Sequence, residues 1–188
     1  MPTPTILGVS LTARHIFVDE SKRREYFVVA AIVAPKDLRP LRRVVEDLLL
    51  PQQRYIHMKD EGDGRKQTIA KNFVGAGVEA IVYDAGQRYR TQLAARAACM
   101  RGLIEDLATN SDDTLIIIEQ DDSLVHSDRR LLYEAVRAVG RADNLRYDHR
   151  RREAELLLGI PDAIAWCWAK GGRWRQHIEP AIRSVRSL

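Results

Sequence analysis

Residues 14–33 read RHIFVDESKRREYFVVAAIV, two apolar runs separated by a short charged segment. The first run, Arg14–Val18, contains β-branched and aromatic residues and is followed directly by Asp19 and Glu20. The second run, Tyr26–Val33, is apolar without alternation, which is typical of a strand buried on both faces. Two strands joined by so short a turn pair with each other in antiparallel fashion. The stretch therefore predicts a buried β-hairpin.

Downstream of the hairpin, helix-like and strand-like patterns alternate. Apolar residues at helical spacing predict helices over about 37–50, 65–74, 90–109, 129–140 and 161–170, and a short final helix from Pro180. Short apolar runs predict strands over about 78–83, 114–118, 145–148 and 155–158, with a weak extended segment over 54–58. This order predicts an α/β domain with a mixed sheet and helices on both of its faces.

The composition indicates one globular domain. The 188 residues are 45% hydrophobic and 30% charged, so the chain can bury a core, and no Pro/Gly/Ser-rich linker divides it. We expect a single domain over 1–188, with a core at about 14–170 and a helical tail over 173–188. No apolar run approaches the ~20 residues of a membrane span, and the first residues do not form a signal peptide. We therefore expect a cytoplasmic protein with no membrane partner. Two cysteines are too few for a disulfide framework or a thiolate zinc site.

The charge balance permits a nucleic-acid partner. The net charge is +4, and 24 of the 30 basic residues are arginine, whose planar fork suits phosphate. A GC-rich genome, whose codons favour arginine over lysine, also explains this bias. Aromatic residues make up only 6% of the chain, which argues against a base-stacking surface across a whole sheet.

Carboxylates follow two predicted strands and open one predicted helix. They are Asp19 and Glu20 after the first strand, Glu119, Asp121 and Asp122 after the strand at 114–118, and Asp162 in the first turn of a helix. If the two strands are neighbours, these acids converge, and like charges so close together cannot all ionise unless a cation joins them. Oxygen ligands select Mg²⁺ or Mn²⁺, and such ions activate water and stabilise the leaving oxygen of a phosphodiester.

Each acid also has a simpler interpretation. An acid after a strand is commonly the first residue of a solvated turn, and Glu20 can pair there with Lys22 or Arg23. The helix dipole alone favours Asp162 near a helix start. Asp121 and Asp122 fit a solvated loop. The prediction of a metal site therefore depends on the combination of these acids and not on any one of them.

Three segments resemble the domain of unknown function 3800 family. They are IFVDES at 16–21 with the strand that follows it, YIHMKD at 55–60, and LLLGIPDAIAW at 156–166. The resemblance spans roughly 14–170 and implies a ribonuclease H-like fold. Pro161 replaces the usual alanine before the acid, and the helix between the second and third strands departs from the plain ribonuclease H order.

The resemblance implies that Asp19, an acid after the later strand, and Asp162 form the catalytic and metal-binding set. For the later strand we prefer Glu119, because it directly follows the apolar run as Asp19 does; Asp121 and Asp122 are the alternatives. Glu20 is expected to be a supporting catalytic acid. The expected cofactor is Mg²⁺ or Mn²⁺.

Further residues are candidates for contacts with substrate or partner. His57 and Lys59 alternate, so on an extended segment they point to the same side, where Lys59 holds a phosphate and His57 shuttles a proton; a solvent-facing edge is the alternative. Arg150, Arg151 and Arg152 either contact a nucleic-acid backbone or form a solvated loop. Two tryptophans on the last long helix lie about 200° apart, so one is expected to be exposed and to mark a protein partner or a homo-oligomer contact; they are Trp166 and Trp168.

Three functions are consistent with these patterns. The leading hypothesis is a metal-dependent nuclease that hydrolyses phosphodiesters of RNA or DNA. The alternative is a non-catalytic module that binds nucleic acid or protein and retains the fold. A hydrolase of small phosphorylated molecules comes third. Catalysis predicts converging acids with a divalent ion, whereas a binding module predicts splayed or salt-bridged acids.

Overall fold

The computed structural model describes residues 13–188, together with two short paired strands near the start, β1 (Thr5–Ile6) and β2 (Val9–Ser10). The main sheet contains six strands: β3 (Arg14–Ser21), β4 (Tyr26–Val33), β5 (Glu79–Gly86), β6 (Thr114–Glu119), β7 (Leu145–Arg150) and β8 (Ile182–Ser187). Their order across the sheet is β7-β6-β3-β4-β5-β8. Neighbours pair antiparallel at β3–β4 and β4–β5, and parallel at β3–β6, β6–β7 and β5–β8. The predicted hairpin and the predicted mixed α/β sheet are confirmed.

Helices cover both faces of the sheet. They are α1 (Leu38–Leu48), α2 (Asp63–Gly75), α3 (Gln92–Leu107), α4 (Val125–Ala138), α5 (Gly159–Lys170) and α6 (Gly172–Ile178). Alternate residues of the hairpin face opposite cores: Phe17 and Val29 pack with α1, α2, α5 and α6, whereas Ile16 and Val28 pack with α3 and α4. The unbroken apolar run of β4 follows from this, because both of its faces are buried.

Two segments expected to be extended are not strands. Residues 54–58 lead instead into a 3₁₀ turn at Met58–Asp60. The expected strand at 155–158 is a 3₁₀ turn, Leu156–Leu158, in which the Glu155 side chain accepts a hydrogen bond from the Leu157 N–H at 3.2 Å. Three consecutive leucines fit either conformation, so periodicity alone gave the wrong element there.

The expected helical tail at 173–188 is helical only in its first part. After α6 and a 3₁₀ turn at Glu179–Ala181, the chain forms the edge strand β8, which pairs with β5. The sequence of β8, IRSVRS, does not alternate between apolar and polar residues, and this edge strand has few buried side chains to mark it. Along the described residues, none of the helices is both long and apolar enough to cross a bilayer.

Candidate functional site

The fold brings three of the predicted acids together. Strands β3 and β6 are parallel neighbours in which Val18 pairs with Ile118, so Asp19 and Glu119 follow at the same edge of the sheet. Helix α5 packs on β3 and β4 and carries Asp162 in its first turn. The condition for convergence, that the two strands are adjacent, is therefore met. We call Asp19, Glu119 and Asp162 the acid cluster.

One arginine contacts every member of the acid cluster. Arg152 forms two hydrogen bonds to Glu119, from Nε to Oε1 and from Nη2 to Oε2, the latter at 2.6 Å. Its Nη1 lies 3.3 Å from Oδ1 of Asp162, and its Nη2 lies 3.8 Å from Oδ2 of Asp19. The Arg152 side chain is 17% exposed, so the four charges interact mostly out of water. The acids are thus both converging and salt-bridged.

The position of Arg152 follows from the register of β7. Glu119 pairs with Arg150, the last residue of β7, so the chain reaches the acid cluster two residues later. Sequence reasoning grouped Arg152 with its two neighbours and missed this role. A parallel strand beside β6 ends at the same edge as Glu119, but which arginine of the run reaches the acids depends on the register between β6 and β7.

Burial sets the electrostatics of the acid cluster. It raises the pKa of Asp19 well above its ordinary value, and the charges of Glu119 and Asp162 add to the effect. Burial also raises the pKa of Asp162, against the opposing effects of Arg152 and of the Met58 N–H, which donates to Oδ2 at 2.7 Å. Burial disfavours the charge on Arg152, but its hydrogen bonds to Glu119 together with the charges of the three acids outweigh this and raise the guanidinium pKa. Three carboxylates around one guanidinium leave an excess of negative charge.

The Glu20 side chain points to the opposite face of the sheet from that of Asp19, because successive residues of a strand alternate between the two faces. Its carboxylate accepts a hydrogen bond from the Tyr26 hydroxyl at 2.8 Å and forms ion pairs with Arg96 and with Lys22, the latter at 2.7 Å. The ion pair with Lys22 matches the simpler interpretation of Glu20, a carboxylate in a solvated turn. Its role as a supporting catalytic acid remains a prediction.

Arg96 belongs to a buried ion network that sequence reasoning missed. It donates to both carboxylate oxygens of Asp128, at 2.8 Å each, and Nε2 of His149 lies 3.0 Å from Oδ2 of the same residue. Burial works to raise the pKa of Asp128, but the hydrogen bonds and charges of Arg96 and His149 together outweigh it and hold that pKa below its ordinary value. The network joins α3, α4 and β7, whose separation in sequence hides it from motif analysis.

His57 lies beside the acid cluster, and Lys59 is exposed. Nδ1 of His57 is 2.8 Å from Oδ2 of Asp60, and Nε2 is 3.9 Å from Oδ1 of Asp162. The hydrogen bond with His57 lowers the pKa of Asp60. The expected extended segment is absent here, so the two candidates do not alternate on a strand; Lys59 lies in the 3₁₀ turn.

The other two arginines of the predicted run contact different acids. Arg150 lies 2.9 Å from Asp148 and 3.2 Å from Glu155, and Arg151 lies 2.8 Å from Asp122. The run therefore does not form one uniform surface, and only Arg151 is mostly exposed, at 59%. Contact of these residues with nucleic acid remains a prediction.

Neither tryptophan expected at a partner surface is fully exposed. Trp166 packs edge-on against Trp174 with ring centres 5.0 Å apart, and Nζ of Lys66 lies 4.6 Å from the Trp166 ring. The Arg175 guanidinium lies 4.0 Å from the ring of Trp168. Cationic side chains thus cover both rings, which the helical angle between them could not reveal.

A cleft of about 500 Å³ opens beside Asp19 and Glu119 of the acid cluster. It is lined by Asp19, Glu119 and Arg152, and also by Asp121 and Asp122. Side chains of the last two are 43% and 67% exposed, so both alternatives for the middle acid face solvent rather than the buried cluster. Within residues 13–188, no set of three or more His, Cys, Asp or Glu side chains is arranged to hold a metal ion. The Arg152 guanidinium is instead the cation that contacts the three carboxylates of the acid cluster.

Comparison with protein-family models, with curated proteins and with solved structures finds no match to this chain.

Proposed function

We propose that this protein is a metal-dependent nuclease that hydrolyses phosphodiesters of RNA or DNA on a ribonuclease H-like sheet. The observation that carries the proposal is the convergence of the acid cluster at one edge of the sheet, from two parallel strands and one helix start. The mixed sheet with its hairpin first supports the fold assignment. Functional groups of α/β sheets gather at such strand ends.

The donor chemistry of the acid cluster fits Mg²⁺ or Mn²⁺. Carboxylate oxygens are the ligands these ions prefer, and Asp19, Glu119 and Asp162 would hold the ion. The excess of negative charge, which adds to burial in raising the pKa of Asp19, is the condition that a divalent cation relieves. When bound, the ion supplies an activated water and charge stabilisation at the leaving oxygen.

The chain's own residues would position the substrate and move protons. Asp60 holds Nδ1 of His57, which leaves Nε2 beside the acid cluster as the atom that accepts or returns a proton. Lys59 and Arg151 are exposed and would bind phosphates of the substrate. The net charge of +4 favours such a polyanion.

A matched pair of variants tests the proposal. Asp162→Asn keeps the side chain's size and its acceptor for the Met58 N–H, so we expect a stability change under ~1 kcal/mol. Loss of a metal ligand should lower Mn²⁺-dependent cleavage by orders of magnitude. The control is Asp143→Asn, an exposed aspartate outside the cleft, which should cleave like the wild type. Substrates are single-stranded and duplex RNA and DNA, with each ion.

The salt bridges of Arg152 favour a second candidate, a binding module in which the arginine permanently neutralises the acids. That candidate predicts a wild-type protein that binds nucleic acid and cleaves none of the four substrates with either ion. Equal cleavage by the wild type and Asp162→Asn would instead remove the acid cluster from the reaction.

A further inference from the structure

We propose that Arg152 is the resident cation of the acid cluster, and that a divalent ion binds the cluster by displacing the Arg152 guanidinium. The inference rests on the proposed metal site, and it adds a competitor that belongs to the chain itself. Arg152 would thereby set how tightly the protein binds its metal.

The first support is that the ion and the guanidinium need the same oxygens. Both carboxylate oxygens of Glu119 already accept hydrogen bonds from Arg152, and Oδ1 of Asp162 lies 3.3 Å from Nη1. A divalent ion takes carboxylate oxygens at about 2.0–2.6 Å, closer than any hydrogen-bond donor. It would also repel the guanidinium at contact distance. The two cations therefore exclude each other from Glu119.

The second support is that little else holds Arg152 in place. In the part of the chain described, all hydrogen bonds and ion pairs of its guanidinium go to the acid cluster. The residue sits in a turn beyond β7 rather than in a strand or helix, and its side chain lines the cleft. A rotation of this long side chain into the cleft frees the acids without moving the sheet.

The third support is charge. Three carboxylates face a single positive charge from Arg152, and a divalent ion in its place offers two. The exchange therefore brings the cluster closer to neutrality.

The experiment measures Mn²⁺ binding to the metal-free full chain by electron paramagnetic resonance, without any cleavage assay. We expect Arg152→Gln to bind Mn²⁺ at least about tenfold more tightly than the wild type, which corresponds to about 1.4 kcal/mol. Arg130→Gln, which loses an exposed arginine that pairs with Glu134 outside the cleft, should change the affinity less than about twofold. Glu119→Gln should weaken Mn²⁺ binding, which assigns the ion to the cluster.

A second measurement uses the unaltered protein and does not depend on a variant that folds. Mg²⁺ titration should shift the Nε–H resonance of Arg152 in ¹⁵N spectra and leave that of Arg151 in place, because only Arg152 loses its carboxylate partners. Two results would refute the competition between Arg152 and the ion but leave the metal site in place. One is Mn²⁺ binding with the same affinity in the wild type and in Arg152→Gln. The other is an Arg152 Nε–H resonance that Mg²⁺ does not shift. No Mn²⁺ bound by either protein would instead remove the metal site itself.

Discussion

Replacing Arg152 by glutamine removes the guanidinium that contacts all three acids and leaves their carboxylates facing one another. Breaking a buried ion pair by deleting one partner costs about 3–5 kcal/mol. The cluster keeps some contact with water, since its side chains are 10–21% exposed, and Asp19 can take up a proton. We therefore expect the metal-free variant to lose about 2–4 kcal/mol of unfolding free energy at neutral pH. A domain of ordinary stability, about 5–15 kcal/mol, remains folded.

The loss should depend on pH with a definite sign. Without Arg152 the acids of the folded state hold protons to higher pH than those of the unfolded state, so the folded protein binds more protons. Its stability then falls as pH rises, and the difference from the wild type should be smaller at about pH 5 than at neutral pH. Urea unfolding at both values measures this, with Arg151→Gln as a control expected within ~0.5 kcal/mol of the wild type. A loss under ~1 kcal/mol at neutral pH, or the same loss at both values, would refute the reasoning, because Arg152 would then behave as a surface residue.

Three further outcomes are expected. Asp19→Asn should stabilise the metal-free protein at neutral pH, because it removes a buried carboxylate whose pKa is raised. The gain should shrink as pH falls, since the folded wild type then takes up a proton on Asp19. Urea midpoints that the substitution does not move would contradict this. Asp128→Asn should lower the free energy of unfolding by about 3–5 kcal/mol, measured by thermal melting. Because the pKa of Asp128 is held low, its carboxylate stabilises the wild type at neutral pH, and this stabilisation is lost only as pH falls through the lowered pKa. Lys59→Gln and Arg151→Gln should each reduce the slope of log affinity for nucleic acid against log salt concentration by about one phosphate contact. An unchanged slope would mean that the side chain does not contact a phosphate.

The hairpin could be predicted from local rules, and the meeting of Asp19 with Glu119 could be predicted from such rules and one assumption about strand pairing. An apolar run without alternation indicates a strand covered on both faces, and the ends of parallel neighbours meet at one edge of a sheet. The pairing of β3 with β6 was the single assumption needed, and the structure bears it out. The alternation of side chains along β3 also places Glu20 on the other face, a conclusion that the sequence alone allowed.

Arg152, Arg96 and the strand β8 could not be predicted in the same way. The contact of Arg152 with the acid cluster depends on the register between β6 and β7, which the sequence does not state. The ion network of Arg96 joins residues that are far apart in the chain. Strand β8 lies at the edge of the sheet, where a mostly exposed strand lacks the buried pattern that identifies the others.

Anomalous diffraction from a crystal of the wild-type protein grown with Mn²⁺ tests most directly whether the acid cluster is a metal site. We expect an anomalous peak in contact with carboxylate oxygens of Asp19, Glu119 and Asp162, and an Arg152 side chain turned away from Glu119 into the cleft. A Mn²⁺-saturated crystal that shows no peak among these carboxylates, with Arg152 still hydrogen-bonded to Glu119, would contradict the account.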